Sequence, residues 1–266
     1  MSNGQLMEIG RSVGLLVLSL SFLLPVSTVV GELPWARTYG GSEGGIFSAL
    51  LQTADGGYAL AGYITHVIGF EPGESDAWLV KTDANGILQW NQTYAGSWDE
   101  TCFAFLQTAD GGYALAGYTC GFDSWWVRDA WLVKTDANGI AQWNQTYAGS
   151  GVQEFVALLQ TADGGYALAG WTQNVANKAW LVKTDANGIA QWNQTYGGPI
   201  NLYCVALLQT ADDGFTLAGN TGAGASWLMK TNANGIAQWN QTYGDKDFEI
   251  DDLLISLFFI FLSQIR

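Results

Sequence analysis

Few residues of this sequence have the type and spacing that acid–base or metal chemistry needs. His66 is the only histidine, which excludes any catalytic or metal site built on two histidines. Asp99 and Glu100 are adjacent carboxylates, but neighbouring residues of a strand point to opposite faces, so they do not form an acid–base pair. The sequence contains no phosphate loop, nucleophile elbow or Cys/His metal cluster. We therefore predict a protein that is not an enzyme and that holds no cofactor and no metal.

Carboxylates recur in a short Asp-x-Asn-Gly motif that begins at Asp83, Asp136 and Asp185. The motif matches part of a calcium loop, in which carboxylate and carbonyl oxygens bind the ion. A full loop needs further oxygen ligands at close spacing, and the sequence lacks them. Asp, Asn and Gly also favour tight turns for conformational reasons alone. We prefer the turn interpretation and keep calcium as the alternative.

Two neighbouring segments carry side chains suited to ligand binding rather than to catalysis. The predicted contact residues are Trp98, Asp99, Glu100, Phe122, Asp123, Trp125, Trp126 and Arg128. Exposed aromatic rings flanked by acids suit stacking on sugars or contact with another protein. The alternative is that Trp125 and Trp126 simply pack over the edge of a sheet.

One phrase recurs along the chain and reveals an internal repeat. It reads TDANGIAQWNQTYAG from Thr135, and its tryptophan returns at Trp35, Trp90, Trp143, Trp192 and Trp239. Two further phrases, LQTADGGYALAG and AWLVKTDANG, accompany it in a constant order. The repeat unit is therefore about 50 residues long.

Each unit reads as four β-strands. In the third copy we predict Phe155–Thr161, Tyr166–Thr172, Ala179–Thr184 and Ile189–Tyr196. The Asp-Gly and Asn-Gly steps after the first and third strands indicate hairpins, because both tolerate a positive φ. Small residues in the first two strands indicate inner positions near an axis, and the large aromatics of the last two indicate outer positions.

Four antiparallel strands in a unit of about 50 residues are typical of a β-propeller blade. The predicted fold class is all-β, a propeller-type array over residues 35–244 with units that end near 94, 147, 196 and 243. About four blades are complete, and Trp35–Tyr39 is left over as a lone strand of the fourth type. We expect an open or incomplete array.

The order DGGYALAG, DAWLVKTDANG and a following tryptophan resembles a kelch-type blade. The spacing of Asp136, Gly139 and Trp143 is also similar to the tryptophan-docking repeat of quinoprotein dehydrogenases, although it is one residue shorter and lacks Thr-Gly-Lys. The array most resembles the DGG/LVKTD/W repeats of secreted archaeal and bacterial proteins, which are largely uncharacterised. The resemblance implies an architecture, and a quinoprotein-like or glycan-active enzyme is the alternative function.

The two faces of such an array differ in sequence. The turns after the first and third strands, TADGG and TDANG, hardly change and define the constant face. The loops after the second and fourth strands define the variable face, and those after the second read ITHVIGFEPGESD, TCGFDSWWVRD, TQNVANK and NTGAGAS. Recognition residues diverge where scaffold residues repeat, so we predict that the variable face binds an extracellular protein or glycan.

The first residues look like an export signal. An apolar run, Val13–Leu24, follows a short polar start and ends at Pro25. We predict a signal peptide over residues 1–31 and an extracellular or cell-surface protein. The alternative is an uncleaved membrane anchor that uses residues 13–30.

At the other end, residues 245–266 form an apolar tail that departs from the repeat. We expect a degenerate, truncated or frameshifted copy of a longer array, and a non-functional fragment is therefore a third interpretation of the chain.

The net charge of −14 argues against a nucleic-acid partner, because binding to phosphates needs clustered Lys and Arg. Cys102 and Cys204 occupy the repeat position of Phe47 and Phe155, which favours buried thiols over a disulfide between Cys102 and Cys120. Asn-Gln-Thr sequons stand in all four outer strands, at Asn91, Asn144, Asn193 and Asn240. They predict N-glycosylation, with ordinary polar alternation copied by duplication as the alternative.

Overall fold

The computed structural model describes residues 36–40, 44–68, 71–96, 98–120, 127–149, 151–173, 176–198 and 200–244. The chain divides into Met1–Arg37 and Thr38–Arg266, and every strand belongs to the second unit. The predicted signal or anchor at 1–31 and the apolar tail at 245–266 lie outside the described residues. Within the described ranges, no helix has the length and apolarity needed to cross a membrane.

The strands form four antiparallel sheets of four strands each, in chain order. Blade 1 contains β1 (Gly44–Gln52), β2 (Tyr58–Ile68), β3 (Glu71–Thr82) and β4 (Leu88–Tyr94). Blade 2 contains β5 (Glu100–Gln107), β6 (Tyr113–Cys120), β7 (Arg128–Thr135) and β8 (Ala141–Tyr147). Blade 3 contains β9 (Val152–Gln160), β10 (Tyr166–Gln173), β11 (Asn177–Thr184) and β12 (Ala190–Tyr196). Blade 4 contains β13 (Leu202–Gln209), β14 (Phe215–Thr221), β15 (Ser226–Thr231) and β16 (Ala237–Tyr243).

The all-β prediction and the blade-like arrangement of an open propeller are confirmed. The predicted lone strand at Trp35–Tyr39 is not a strand over its described residues. Trp35 is outside the described residues, and residues 36–40 have no strand conformation. A strand needs a neighbour for its ladder of hydrogen bonds, and no described strand pairs with this segment.

The first two strands of each blade approach so closely that one position accepts only glycine. At Gly117 an added Cβ would lie 1.8 Å from the carbonyl oxygen of Thr101. Gly62, Gly170 and Gly219 meet the same obstacle in the other blades. A β-bulge lies beside each of these glycines, because the register of the first strand shifts by one residue there.

The hydrophobic core is divided into layers between consecutive blades. Between blades 1 and 2, Leu79 and Tyr94 pack with Cys102, Leu115 and Trp131. Equivalent layers join blades 2 and 3 and blades 3 and 4. The three cysteines are free and buried, so the prediction of buried thiols is confirmed.

A tryptophan and a tyrosine of each blade hold one glycine of the next, and we call this contact the interblade clamp. The indole of Trp90 covers Gly139, where an added Cβ would lie 2.6 Å from the ring. The hydroxyl of Tyr94 donates a hydrogen bond of 2.8 Å to the carbonyl oxygen of the same glycine. The next two joints repeat the clamp with Trp143 and Tyr147 on Gly188, and with Trp192 and Tyr196 on Gly235.

The clamp explains why one phrase recurs. TDANGIAQWNQTYAG contains both the glycine that is held and the aromatic pair that holds the next glycine. Residues four apart on a strand lie on the same side, which places Trp143 and Tyr147 together on the side that faces blade 3. Before blade 1, Tyr39 donates the corresponding hydrogen bond, 2.7 Å long, to Gly86.

A lysine joins the strands of each blade at the constant face, and it is buried in blades 1 to 3 and half-buried in blade 4. Lys183 Nζ donates to the Asp163 carboxylate at 2.8 Å, to the Thr184 carbonyl at 2.7 Å and to Gln191 at 3.2 Å. Gln191 reaches the lysine because a bulge in β12 leaves it without a partner in β11. Lys81, Lys134 and Lys230 make the equivalent bonds in the other three blades.

The Asp-x-Asn-Gly motif is a turn held by its own aspartate. Asp185 Oδ1 accepts hydrogen bonds from the backbone N–H groups of Asn187 and Ile189, at 2.9 and 2.8 Å. In blade 4 the position is Asn232, whose side-chain oxygen makes the same two bonds at 3.0 Å. A neutral amide therefore does what the carboxylate does, which supports the turn interpretation.

We expect Gly139→Ala to lower stability more than Gly56→Ala. Both glycines have a positive φ, +77° and +83°, so both substitutions carry a backbone cost of about 1–2 kcal/mol. Only at Gly139 does the new methyl group meet the Trp90 ring, which adds about 1–3 kcal/mol, whereas nothing lies within 4 Å at Gly56. Urea unfolding measures both variants, and equal midpoints would contradict the role of the clamp.

We expect Asp163→Asn to remove part of the acid sensitivity of folding. Hydrogen bonds from Lys183 and Thr161 lower the pKa of Asp163 from 3.8 to about 2. A carboxylate with a lowered pKa stabilises the folded state above its unfolded pKa, and this contribution disappears as the pH falls toward 2. The gap in melting temperature between wild type and Asp163→Asn should therefore be largest near pH 6 and close between about pH 4 and 2.

Asp185→Asn is the matched control, because Asn232 already fills the equivalent position in blade 4. We expect it to match the wild type at every pH. A gap for Asp163→Asn that stays constant with pH would show that the charge of Asp163 does not matter.

Candidate functional site

The structure describes half of the predicted ligand-binding residues. Phe122, Asp123, Trp125 and Trp126 lie outside the described residues, so their role stays a prediction. Trp98, Asp99, Glu100 and Arg128 are described, and all four lie at the variable face, where strands β5 and β7 begin. The contacts of Asp99, Glu100 and Arg128 are described in turn below, and Trp98 is half-buried.

Glu100 points inward. Only 1% of its surface is exposed, and its carboxylate accepts hydrogen bonds from the Gly96 N–H at 2.5 Å and the Thr119 hydroxyl at 2.6 Å. Burial raises the pKa of this carboxyl group. Glu100 therefore orders the connection between blades 1 and 2 and is not accessible to a large ligand.

Asp99 joins two blades. Its Oδ1 accepts a hydrogen bond of 2.8 Å from the backbone N–H of Ser75 in blade 1. The carboxylates of Asp99 and Glu100 bind different groups, as the alternation of strand side chains predicts. Asn201 repeats this contact between blades 3 and 4, where its Oδ1 accepts from the Asn177 N–H at 2.9 Å.

Arg128 begins β7 at the variable face. It forms an ion pair with Glu154 of blade 3, whose side chain is 8% exposed. Its guanidinium group also lies 4.4 Å from the ring centroid of Tyr118, a cation–π contact. One basic residue of blade 2 thus contacts an aromatic ring of its own blade and an acid of the next.

A row of half-buried aromatic residues follows the inner part of this face, and sequence reasoning missed it. Tyr63, Tyr118 and Trp171 each come directly after the close-approach glycine of the second strand. Trp171 contacts Tyr203 of blade 4 edge-to-face, with ring centroids 5.7 Å apart. We call Tyr63, Tyr118, Trp171 and Tyr203 the aromatic row. The signal in the sequence was an aromatic residue after the LAG of three repeats.

The residues beside the aromatic row differ from blade to blade. Thr101, Glu154 and Tyr203 occupy one repeat position, just before the buried Cys or Phe of the first strand. They pair across the sheet with Tyr118, Trp171 and Asn220. The same backbone frame therefore presents a hydroxyl, a carboxylate and a phenol at successive blades.

An open cleft of about 440 Å³ separates the outer parts of blades 1 and 2. Thr93 and Tyr94 of blade 1 line it, together with Glu100, Thr119, Asn144 and Thr146 of blade 2. Asn144 and its counterparts Asn91, Asn193 and Asn240 are all exposed. Their glycosylation stays a prediction.

Within the described residues, no group of three or more His, Cys, Asp or Glu side chains could hold a metal ion. His66 pairs with Asp76 of its own blade at 2.8 Å. The described residues of the variable face thus offer aromatic surface, one arginine and several carboxylates and amides, a set that suits binding by stacking and hydrogen bonding.

Comparisons with known proteins identify no family for this chain. No family model and no curated protein matches the chain. It is similar in structure to a protein of unknown function from Bacteroides caccae, at 10% identity and a TM-score of 0.33, over 77% of this chain and 84% of that one. A eukaryotic initiation factor gives the same identity and TM-score over 74% of this chain and 55% of its own. The kelch-like and quinoprotein-like resemblances stay predictions.

We expect the Arg128–Glu154 pair to couple blades 2 and 3 energetically. Arg128→Met leaves the buried Glu154 carboxylate without this cation and should cost about 2 kcal/mol of stability. In the double variant, Glu154→Gln should recover about half of that loss, because no buried charge remains. A double-mutant cycle from urea unfolding measures the coupling, and additive single effects would show that the two side chains act independently.

Proposed function

We propose that this protein is a non-catalytic binding module, secreted or on the cell surface, that contacts a protein or a glycan through its variable face. The observation that carries the proposal is the contrast between the two faces. One face repeats the same internal bonds in every blade, and the other presents different side chains on the same frame. We propose recognition rather than catalysis, since an open array of blades supplies a scaffold for variable loops.

The constant face has little polar chemistry left for a ligand. Each of its lysines is engaged with an aspartate, a backbone carbonyl and a glutamine. The aspartates of its second turn accept two backbone N–H groups each. These hydrogen bonds within the blades explain why the residues repeat, so no ligand-binding function is needed to explain their repetition.

The variable face combines the groups that recognise sugars and protein surfaces. The aromatic row supplies flat apolar surface for stacking, and Arg128, whose side chain is 41% exposed, supplies donors nearby. The side-chain amide of Asn177 donates a hydrogen bond to the Tyr203 hydroxyl, so the row and the polar groups are held in one arrangement. Such preorganisation favours binding, because fewer side chains lose freedom when the ligand arrives.

The loop between β6 and β7 is the part of the proposal that rests on sequence alone. Phe122, Asp123, Trp125 and Trp126 lie within it, and Arg128 directly follows it at the start of β7. Its ends adjoin Cys120 and Val127, beside the Arg128–Glu154 pair.

A screen of the purified chain against glycan and surface-protein arrays tests the proposal. We expect one class of ligand to bind, and Trp125→Ala/Trp126→Ala and Tyr118→Ala each to weaken that binding at least about tenfold, as loss of contact aromatics does. Ile189→Ala is the control, since this residue is 53% exposed on the constant face.

Three results would contradict the proposal. The first is no binding by a folded wild-type chain, and the second is equal loss of binding in the control variant. The third is turnover of an alcohol or sugar substrate with quinone cofactor that depends on acids of the variable face, which would support the enzyme alternative instead.

A further inference from the structure

The constant face departs from its repeat at the third joint, between blades 3 and 4. At the first joint the side-chain oxygen of Gln107 accepts a hydrogen bond of 2.9 Å from the Ala54 N–H of the preceding blade. The second joint repeats this bond at 3.0 Å. The counterparts at the third joint are Gln209 and Ala162, and within the described residues no hydrogen bond joins these two. Both groups are therefore left over by the packing of the blades.

Blade 4 also lacks a hydroxyl group that blades 2 and 3 place at their joints. The pKa of Tyr113 is raised to about 12 by its burial and by the negative charge of Asp55 in the preceding blade, so this phenol lies within the electrostatic reach of that carboxylate. Tyr166 and Asp110 repeat the pair. The residue at this position in blade 4 is Phe215, and the third joint therefore has one polar atom fewer between its two blades.

Asp213 is the third departure from the repeat. It takes the place of Gly111 and Gly164, whose φ angles are +84° and +81°, and its own φ is +60°. It is the only non-glycine residue with a positive φ in the part of the chain that the structure describes. A residue with a Cβ costs about 1 kcal/mol more than glycine in this conformation, and such strain recurs at functional sites that need a particular side chain. The side chain gained here is an exposed carboxylate.

The three departures meet in one open cleft of about 490 Å³ between blades 3 and 4. Gln209, Asp213 and Phe215 line it from blade 4, and Asp163 and Trp192 line it from blade 3. The half-buried Trp192 ring meets Phe215 edge-to-face, with ring centroids 5.9 Å apart. Clefts of this size hold small ligands. This one combines aromatic surface with two polar side chains, Gln209 and Asp213, that no hydrogen bond engages within the described residues.

The charges of the lining argue against an anionic ligand. Lys183 is the one cation among the described lining residues. It already donates to the Asp163 carboxylate, to a backbone carbonyl and to Gln191. A phosphate or a uronate would therefore find no unpaired positive charge in the cleft.

The remaining polar groups fit hydroxyls. The Asp213 carboxylate only accepts hydrogen bonds, the Ala162 N–H only donates, and the Gln209 amide does both. A cationic ligand only donates, so it would leave the Ala162 N–H without a partner. Hydroxyl groups donate and accept, and a neutral ligand with several hydroxyls and one apolar face therefore matches the whole set.

We propose that this cleft binds a neutral hexopyranose unit. The indole of Trp192 stacks on the apolar face of the sugar ring, while Asp213 accepts hydrogen bonds from its hydroxyls and Gln209 donates to them. The Ala162 N–H donates to a further hydroxyl oxygen. The site lies on the constant face, so it is separate from the variable-face contact proposed above and does not depend on it.

Saturation-transfer NMR on the full chain tests the site with the methyl glycosides of glucose, galactose, mannose and N-acetylglucosamine. Glucuronic acid and glucosamine serve as the anionic and cationic comparators. We expect at least one neutral glycoside to bind, and both charged sugars to bind more weakly than methyl glucoside.

The variant Asp213→Gly/Phe215→Tyr returns both positions to the residues of blades 2 and 3. It should unfold at a higher temperature than the wild type, because glycine removes the cost of the positive φ. We expect its sugar affinity to fall at least about tenfold, since the ligand loses a hydrogen bond to a charged group. Higher stability with weaker binding separates loss of the site from loss of the fold.

Two equivalent glutamines give a matched pair of variants. Gln160→Ala loses the hydrogen bond to Ala109, so it should lower the unfolding temperature and leave sugar binding unchanged. Gln209→Ala loses no bond between blades, so it should keep the unfolding temperature and weaken sugar binding several-fold. Thermal unfolding and NMR titration measure the two effects.

The proposal is wrong if no neutral glycoside binds the folded wild type, or if a charged sugar binds more tightly than methyl glucoside. It is also wrong if Asp213→Gly/Phe215→Tyr binds as well as the wild type, which would place the sugar elsewhere on the protein. Equal effects of Gln160→Ala and Gln209→Ala on binding would likewise overturn it.

Discussion

The structure depends on one contact, in which an indole and a phenol of one blade close on a glycine of the next. The contact combines an apolar surface, the ring of Trp143, with a directional bond from Tyr147 to the Gly188 carbonyl. Apolar packing alone would allow neighbouring blades to slide, and the hydrogen bond fixes the position of one against the other. Because the glycine lies in a tight turn, the clamp also fixes that turn.

Each sheet is short, and most of the core lies where two blades meet. A fourth, smaller cluster lies on blade 1, where Ile64, Trp78 and Val80 pack with Tyr39 and Phe47. Stability in such an array is the sum of contributions from blades and from joints. The lysines of the constant face act within blades rather than between them, since each one forms hydrogen bonds to other strands of its own blade. The interblade clamps and these lysine hydrogen bonds together account for most of the repeated residues.

This division leaves the opposite face free to vary. The bonds that hold the blades occupy the constant face and the layers between blades, while the variable face contributes contacts that differ at each joint. Asp99 and Asn201 use side-chain oxygens to reach the preceding blade, and Arg128 and Glu154 use an ion pair. No single residue type is demanded there, so substitution is tolerated and recognition is free to diverge.

The strands and turns could be predicted from the sequence because their signals are local. Period-two alternation and Asn-Gly steps placed Tyr166 and Ala190 at the starts of strands to within a residue, and the shared position of Phe155 and Cys204 indicated buried thiols. Repetition strengthened each signal, since every blade was evidence for the others.

The contacts between distant residues were not predictable in this way. Tyr147 bonds a backbone carbonyl 41 residues away, and a carbonyl has no side chain to mark it in the sequence. The lysine of LVKTD carries no sign of burial in the sequence, because burial of lysine is uncommon without several partners. Glu100 occurs once, so no second copy indicated that it is buried, and its carboxylate was taken for a surface group.

The clamp has a consequence for how such a chain changes in length. Its donor and its acceptor lie in one stretch of sequence, so a tandem duplication of about 50 residues creates a module that already fits the blade before it and the blade after it. Loss of a module by unequal recombination leaves equally well-matched ends. Blade number is therefore free to drift between related genes while every joint keeps the same atomic contacts.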